Sequence, residues 1–467
     1  MLRVKRHKLP TMGQPGQKGR QFPSRRRVIM SAGRSLFSAR SGSPNRIRLL
    51  RMRKDPAQGR EQRVKLESGM RPAHSRRVFF FLSAGWGPVV RTLPIANRLV
   101  DFGVASSFAI SGTIGSQIRA AGFDMIQLSI PPFNATAEEA RKWWSPYHFL
   151  ALHNLDIKPL LGHVEAYRKA ILEGRPEVVV TDINPVAALA ARSLQIAHVT
   201  ISQSLFLPFR KLDAIKWTIP AALPAINKVL IHYGADPIES TEDLDVGNVT
   251  LVPSIPEFDP MQNTPPTLHY VGPILGNQLV PLTSVDRSSM TDTVPEVFFY
   301  PGRPHDAAGS SGQALLNVGL GALSALDVTV TVATGGHDFE IPEYPGRPPE
   351  IVPWRVISPA YTPNLIIHHG GHGACLTAIS AGIPSAIVPT HVEREYNATN
   401  LAALGCGQFV PTDECDVHHV RQAIERVIEN PGYAGECARW SQTIAARKYG
   451  GADLAARIIV QMIDTPP

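Results

Sequence analysis

From residue 78 onward the chain is punctuated by short apolar runs, each followed by a turn and a helical pattern. The first, Val78 to Ser83 (VFFFLS), is continuous rather than alternating. A strand with no polar face is buried on both sides, as in a parallel sheet. The turn Ala84 to Pro88 and an amphipathic helix, Val89 to Val100, follow it. Short apolar runs separated by Gly-containing turns continue from Phe102 to Ile130, and Glu177 to Asp182 (EVVVTD) reads as another buried strand before a helix, Pro185 to Leu194. The rhythm resumes with Val297 to Tyr300, a helix Gln313 to Ala325, and a strand Val328 to Ala333. It continues with a strand Asn364 to Ile367, a helix Ala374 to Ala381, and a strand Ser385 to Pro389. Such alternation predicts a doubly wound α/β fold. Between the two series lies a weakly structured stretch, Gly276 to Pro295, which places a domain boundary near residue 275. The expected domains are 70–275 and 276–467, with two or three helices from Val417 to Ile463 closing the chain.

Composition changes this picture at one end. The 467 residues carry a net charge of +8, from 47 Lys and Arg against 39 Asp and Glu. Residues 1–69 hold 19 of those cations and 3 of the anions, leaving 28 against 36, or −8, for the rest. This Arg-, Ser-, Gly- and Pro-rich segment lacks a sustained apolar period and is expected to be disordered. It reads as a basic arm for nucleic acid or membrane, as an Arg-rich transit peptide, or as an extension upstream of a start at Met70. The third reading is favoured because Met70 stands eight residues before the first strand. No nucleic-acid partner is expected for the folded part. No run of 18 apolar residues could span a bilayer. Cys375, Cys406, Cys415 and Cys437 include no CxxC pair, so a reducing cytoplasm is expected rather than a disulfide framework or a zinc ribbon. His368, His369 and His372 lie across a glycine loop without the helical HExxH arrangement, and no metal is expected.

The chemistry concentrates in Ile366 to Asn400, IIHHGGHGACLTAISAGIPSAIVPTHVEREYNATN. Strand, glycine loop and helix follow one another there. Glycines let backbone N–H groups approach a ligand, and a helix start offers free amides and a positive dipole end, which together suit a diphosphate. The register of His369, Gly371, Ala374, Cys375, Thr377, Ala378, Gly382, Pro384, Pro389, Glu393, Arg394, Asn397 and Ala398 resembles the donor signature of family-1 glycosyltransferases, including the bacterial antibiotic-type members. Two weaker similarities accompany it. Gly85, Gly87 and Arg91 match the family's first loop, and Pro256 to Pro260 with Val271 to Pro273 match its stretch before the interdomain linker.

The resemblance implies a GT-B fold, two Rossmann-like doubly wound α/β domains facing across a cleft, with the last helix crossing back to the first domain. It implies inverting transfer of a sugar from a UDP- or dTDP-sugar co-substrate to an acceptor hydroxyl, with no permanently bound cofactor and no metal. His369 and the amides from Gly371 through Gly373 and Ala374 to Cys375 would stabilise the leaving diphosphate. Glu393, with Asn397, would hold sugar hydroxyls, and Gly302 and Arg303 would stand near the phosphates. Trp354 is a candidate stack for the nucleobase or a core residue.

Departures from the family pattern are specific. Thr377 stands where a Glu binds ribose, Arg394 where a Gln reads the sugar, and Ala374–Cys375 where Ser–Thr is usual. Arg394 would favour a uronic-acid donor. In the acceptor-side loop Gly85–Trp86–Gly87–Pro88, Pro88 replaces the His that serves as general base, leaving Asp182 either as the base or as a helix cap. The alternative is a GT-B chain without catalysis, acting as a binding or partner subunit. The aromatic stretch Pro131 to Leu161 is an acceptor wall or core. The basic-aromatic stretch Ser204 to Tyr233 is a packed helix pair or a peripheral membrane contact. The acceptor is expected to be a small hydrophobic alcohol or a lipid, and its identity is not encoded legibly.

Overall fold

The structure, a computed structural model, describes residues 76–110, 114–130, 147–210, 220–276, 294–305, 311–345 and 347–465. The basic segment 1–69, Trp143, Trp144 and Trp217 lie outside these residues. Two all-parallel sheets organise the rest. The first comprises β1 (Arg77–Leu82), β2 (Ala105–Ala109), β3 (Asp124–Met125), β4 (Val178–Asp182), β5 (Ala197–Ile201), β6 (Val249–Val252) and β7 (Leu268–Tyr270), in the order β3-β2-β1-β4-β5-β6-β7. The second comprises β8 (Glu296–Tyr300), β9 (Thr329–Ala333), β10 (Glu350–Val352), β11 (Leu365–His368), β12 (Ser385–Ile387) and β13 (Gly407–Phe409), in the order β10-β9-β8-β11-β12-β13. Each sheet reverses its winding once, between β1 and β4 and between β8 and β11. Ligands bind at such switch points, beyond the carboxyl ends of the strands.

The apolar strands are explained by their two faces. In β1, Val78, Phe80 and Leu82 enter one core and Phe79 and Phe81 the other. The helices Lys158–Gly174, Pro185–Ser193 and Leu223–His232 cover the second face. Trp86–Asp101 covers the first, together with the last helix, Gly451–Asp464, whose Ala455, Ala456, Ile459 and Met462 are buried there. The terminal helix thus packs on the N-terminal sheet. Its approach is fixed where Gly272 (φ +85°) lies against Tyr449, a place where a Cβ would stand 2.2 Å from the tyrosine, and where the Gly451 amide donates to Val271 O at 2.7 Å.

Several boundaries differ from those read in the sequence. The helix expected from Val89 begins at Trp86, because proline is tolerated in a first turn and Pro88 needs no helical N–H partner. The helix expected from Ala374 begins at His372. Residues 417–464 form three helices, Val417–Glu429, Pro431–Arg447 and Gly451–Asp464. In the aromatic stretch, Tyr147 and Leu150 are core residues. The described part of Ser204 to Tyr233 is also mostly core: Leu205, Phe206, Ala225, Ile226, Val229 and Leu230 are buried, and Ile231 is exposed.

Tyr147 carries a pH-sensitive contact. Its hydroxyl donates to Asp245 Oδ2 at 2.6 Å with both side chains buried, and burial, reinforced by the charges of Asp182 and Glu242, pushes the Asp245 carboxyl up to about 7 from 3.8. Between these values the folded chain holds a proton that the unfolded chain releases, so this group's stabilisation is lost as pH rises towards 7. Asp245→Asn keeps an acceptor for Tyr147 without the charge. Its stability relative to wild type should therefore grow by roughly 1.4 kcal/mol per pH unit across that window. Urea unfolding of both proteins at pH 5 and pH 7 measures this; a constant difference would contradict it.

Candidate functional site

The two switch points meet different partners. At the second, the loops after β8 and β11 come together around His369. Its ring lies between two glycines: a Cβ on Gly302 would approach Nδ1 to 3.0 Å, and one on Gly371 would approach Nε2 to 2.6 Å. Gly302 also has φ +88°, so both space and backbone require glycine there. The ring contacts Tyr300 edge-on at 5.4 Å, and Tyr300 contacts Trp354 at 5.3 Å. Desolvation, with the positive charge of Arg394 and the neighbouring His368 and His391, holds the His369 pKa well below 6.5. The imidazole is therefore neutral at pH 7 and has an N–H rather than a charge to offer. Among the described residues, Nδ1 has no hydrogen-bond partner.

The helix His372–Ala381 starts directly after this loop. The Cys375 amide donates to Gly371 O at 3.0 Å, which closes the first helical bond and leaves the amides of His372, Gly373 and Ala374 ahead of it. The Cys375 amide is therefore not available to a ligand, and its thiol is buried in an apolar cluster that pushes its pKa well above 9.0. The Thr377 hydroxyl donates to Gly373 O at 2.8 Å, a bond back into its own helix, as is usual for threonine inside a helix. The three histidines diverge. His368 is fully buried, accepts the Gly370 amide on Nδ1 at 3.1 Å, and is lowered by burial to about 3. His372 Nε2 lies 2.8 Å from Asp259 Oδ2. No group of side chains among the described residues could hold a metal ion.

The helix Val392–Ala403 brings the second half of the signature to the same edge. Asn397, almost fully buried, donates from Nδ2 to Gly370 O at 3.0 Å and to Glu393 Oε1 at 2.7 Å, tying the Glu393 carboxylate to the glycine loop. The Arg394 guanidinium is buried and bonds to Thr390 one turn back. Arg303 is exposed at the rim. Trp354 is half-buried, with Phe298 also near at 6.1 Å, so it is both a core residue and a part of the aromatic edge beside His369.

At the first switch point, Pro88 is buried in the opening turn of its helix, Gly85 is the N-cap residue, and Trp86 is 40% exposed. Asp182, at the end of β4, is fully buried, and both carboxylate oxygens accept from Arg91, from Nε and Nη2, each at 2.5 Å. The expected cap is not Asp182, because the helix Pro185–Ser193 is capped by Asn184, whose Oδ1 accepts from the Ala187 amide at 3.1 Å. Burial alone would lower the Arg91 pKa, but the charge of Asp182, with Glu393 and Asp259 beyond it, raises it.

Sequence reasoning missed the groups that join the two halves. Gln203 Nε2, just beyond β5, donates to Glu393 Oε1 at 3.2 Å. Asp259 accepts from Ser204 N and Oγ at 2.9 and 2.7 Å and from His372, and Ser204 Oγ lies 2.8 Å from the Tyr396 hydroxyl. Burial works to raise the Asp259 pKa, while His372, Ser254 and Ser204 hold it below 3.8. The only hint in the sequence was the Pro256 to Pro260 turn that contains Asp259.

Comparison with known proteins bears on the whole arrangement. Residues 318–458 match the family described as Erythromycin biosynthesis protein CIII-like, C-terminal domain. The chain is 24% identical over 323 residues to a PGL/p-HBAD biosynthesis glycosyltransferase of Mycobacterium tuberculosis (strain ATCC 25177 / H37Ra), covering 62% of this chain and 71% of that protein. It is 26% identical over 305 residues to aclacinomycin-T 2-deoxy-L-fucose transferase of Streptomyces galilaeus, covering 62% and 66%. Among solved structures, the calicheamicin glycosyltransferase CalG4 superposes with a TM-score of 0.62 at 20% identity, over 85% of this chain and all of that one. The spinosyn rhamnosyltransferase SpnG complexed with thymidine diphosphate does so with a TM-score of 0.54 at 18% identity, over 79% and 96%.

Proposed function

We propose that this chain, which has the GT-B fold and is similar to antibiotic-type glycosyltransferases, moves a sugar, with inversion, from a UDP- or dTDP-sugar to a hydroxyl of a small hydrophobic acceptor. The observation that carries this reading is the meeting of His369, the free first-turn amides and Glu393 at the β8/β11 switch point. The diphosphate lies against the amides of His372, Gly373 and Ala374 and takes a hydrogen bond from neutral His369, with the Arg394 charge behind it. The nucleobase stands along Trp354 and Tyr300. Glu393 accepts from sugar hydroxyls, held in place by Asn397. Arg303 meets the phosphates from the rim. Thymidine diphosphate in a solved neighbour makes a dTDP-sugar the first donor to try.

Asp182 is the carboxylate nearest in the chain's logic to the imidazole that Pro88 displaces. Both its oxygens accept from Arg91, so the carboxylate is already committed to an ion pair. Stabilisation of the leaving group consequently carries most of the rate in this reading, and the acceptor hydroxyl is one that ionises readily. The four cysteines are free, which suits a reducing, cytoplasmic setting, and no described helix is long and apolar enough to cross a membrane.

Calorimetric titration of the full chain with UDP, dTDP and their sugars tests the reading, followed by mass spectrometry of acceptor panels incubated with the donor that binds. Micromolar binding of one nucleotide series and a mass gain of one sugar are expected. Absence of binding across the panel would refute the donor site.

A further inference from the structure

Two buried polar contacts cross from the loops after β5 and β6 to the donor helices, and both converge on one side chain. Asp259 is 1% exposed. Its Oδ2 lies 2.8 Å from Nε2 of His372, the first residue of the helix His372–Ala381 whose free amides face the diphosphate. Its Oδ1 accepts from Ser204 N and Oγ; with its hydrogen spent on Asp259, Ser204 Oγ accepts from the Tyr396 hydroxyl on the helix Val392–Ala403. That second helix carries Glu393. An ionised carboxylate can only accept, so His372 presents Nε2–H to it, and every link runs in one direction, donors towards Asp259. Apolar contacts surround the node: Phe258 packs with Cys375, Leu376 and Ile379 on one side, and Tyr396 joins Leu205 and Phe206 on the other.

We propose that Asp259 is a positioning residue for the donor site, fixing through His372 the helix turn that holds the diphosphate and through Ser204 and Tyr396 the helix that holds the sugar. The proposal rests on the donor-site reading above. Asp259 itself touches no substrate; it sets the separation between two groups that do. A charge-assisted bond to a buried carboxylate is among the stronger hydrogen bonds available for this, and it acts on the first residue of the helix, where a small rotation redirects all three free amides. A donor site so built is complete only while the N-terminal sheet is docked on it.

The test measures, on the full chain, the dissociation constants of UDP and dTDP alone and of the corresponding nucleotide-sugars. His372→Ala is expected to weaken the nucleotide alone about tenfold or more, and His372→Gln, whose amide reaches where Nε2 stood, to restore most of that loss. Tyr396→Phe is expected to leave the nucleotide alone unchanged and to weaken only the nucleotide-sugar. Asp259→Asn should combine both losses. If that variant fails to fold, the His372 and Tyr396 variants, each removing one link, still decide. A purely structural role would lower melting temperatures without this split. Wild-type nucleotide affinity in His372→Ala, failure of His372→Gln to restore binding, or equal losses for both ligands in Tyr396→Phe would each overturn the positioning role while leaving the donor site standing. A wild-type chain that binds no nucleotide would overturn both.

Discussion

Arg91→Leu should lower the unfolding free energy by about 3–5 kcal/mol, the largest stability loss expected from any single exchange near the cleft. Asp182 is fully buried at the end of a central strand, and the guanidinium supplies hydrogen bonds to both of its oxygens. Removing the cation leaves a charge that neither water nor another donor reaches. The double variant Arg91→Leu, Asp182→Asn should recover most of the loss, because the uncompensated charge goes with it, and denaturant unfolding of wild type, both single variants and the double variant measures the coupling. A single variant within 1 kcal/mol of wild type would mean that the pair is not a buried ion pair in solution.

His369→Ala should reduce kcat/KM by about a hundredfold or more and abolish most nucleotide affinity, with stability little changed. The size follows from losing a pre-aimed donor at developing negative charge in a water-poor pocket. Its neutrality matters to the form of the loss. Because desolvation and the Arg394 charge hold the ring far below its ordinary pKa, activity supported by His369 should show no break between pH 6 and 8, whereas an imidazolium would have switched off there. Pre-steady-state transfer rates with the donor that binds are the measurement. A variant retaining more than a third of wild-type kcat/KM would exclude the ring from the leaving-group site.

The two cases also show which features could be read from sequence. The double-sided burial of β1 is written in VFFFL itself, and the signature loop is legible because its strand, glycines and helix are contiguous, so local pattern and tertiary position coincide. Arg91 and Asp182 are 91 positions apart, His372 and Asp259 are 113 apart, and Ser204 and Tyr396 are 192 apart. Nothing in periodicity pairs residues over such distances. With its partner unseen, Asp182 was open to reading as a base or a cap. Other features were local. Asn184 stood one residue before Pro185 as a better cap than Asp182. The helix start at His372 was hidden because glycine beside histidine reads as loop, whereas the turn is fixed by the strand before it and the core under Cys375 and Leu376.

The terminal helix Gly451–Asp464 fills the face of the first sheet with Ala455, Ala456, Ile459 and Met462. During synthesis the strands it covers emerge before this cover, so the N-terminal sheet keeps part of an apolar face exposed while the second sheet is translated. Vectorial folding, in which an early domain is finished before a later one begins, is denied to this chain. The first sheet is sealed only after the whole second sheet has been made, and a ribosome that stalls in the second sheet presents a nascent chain suited to chaperone capture.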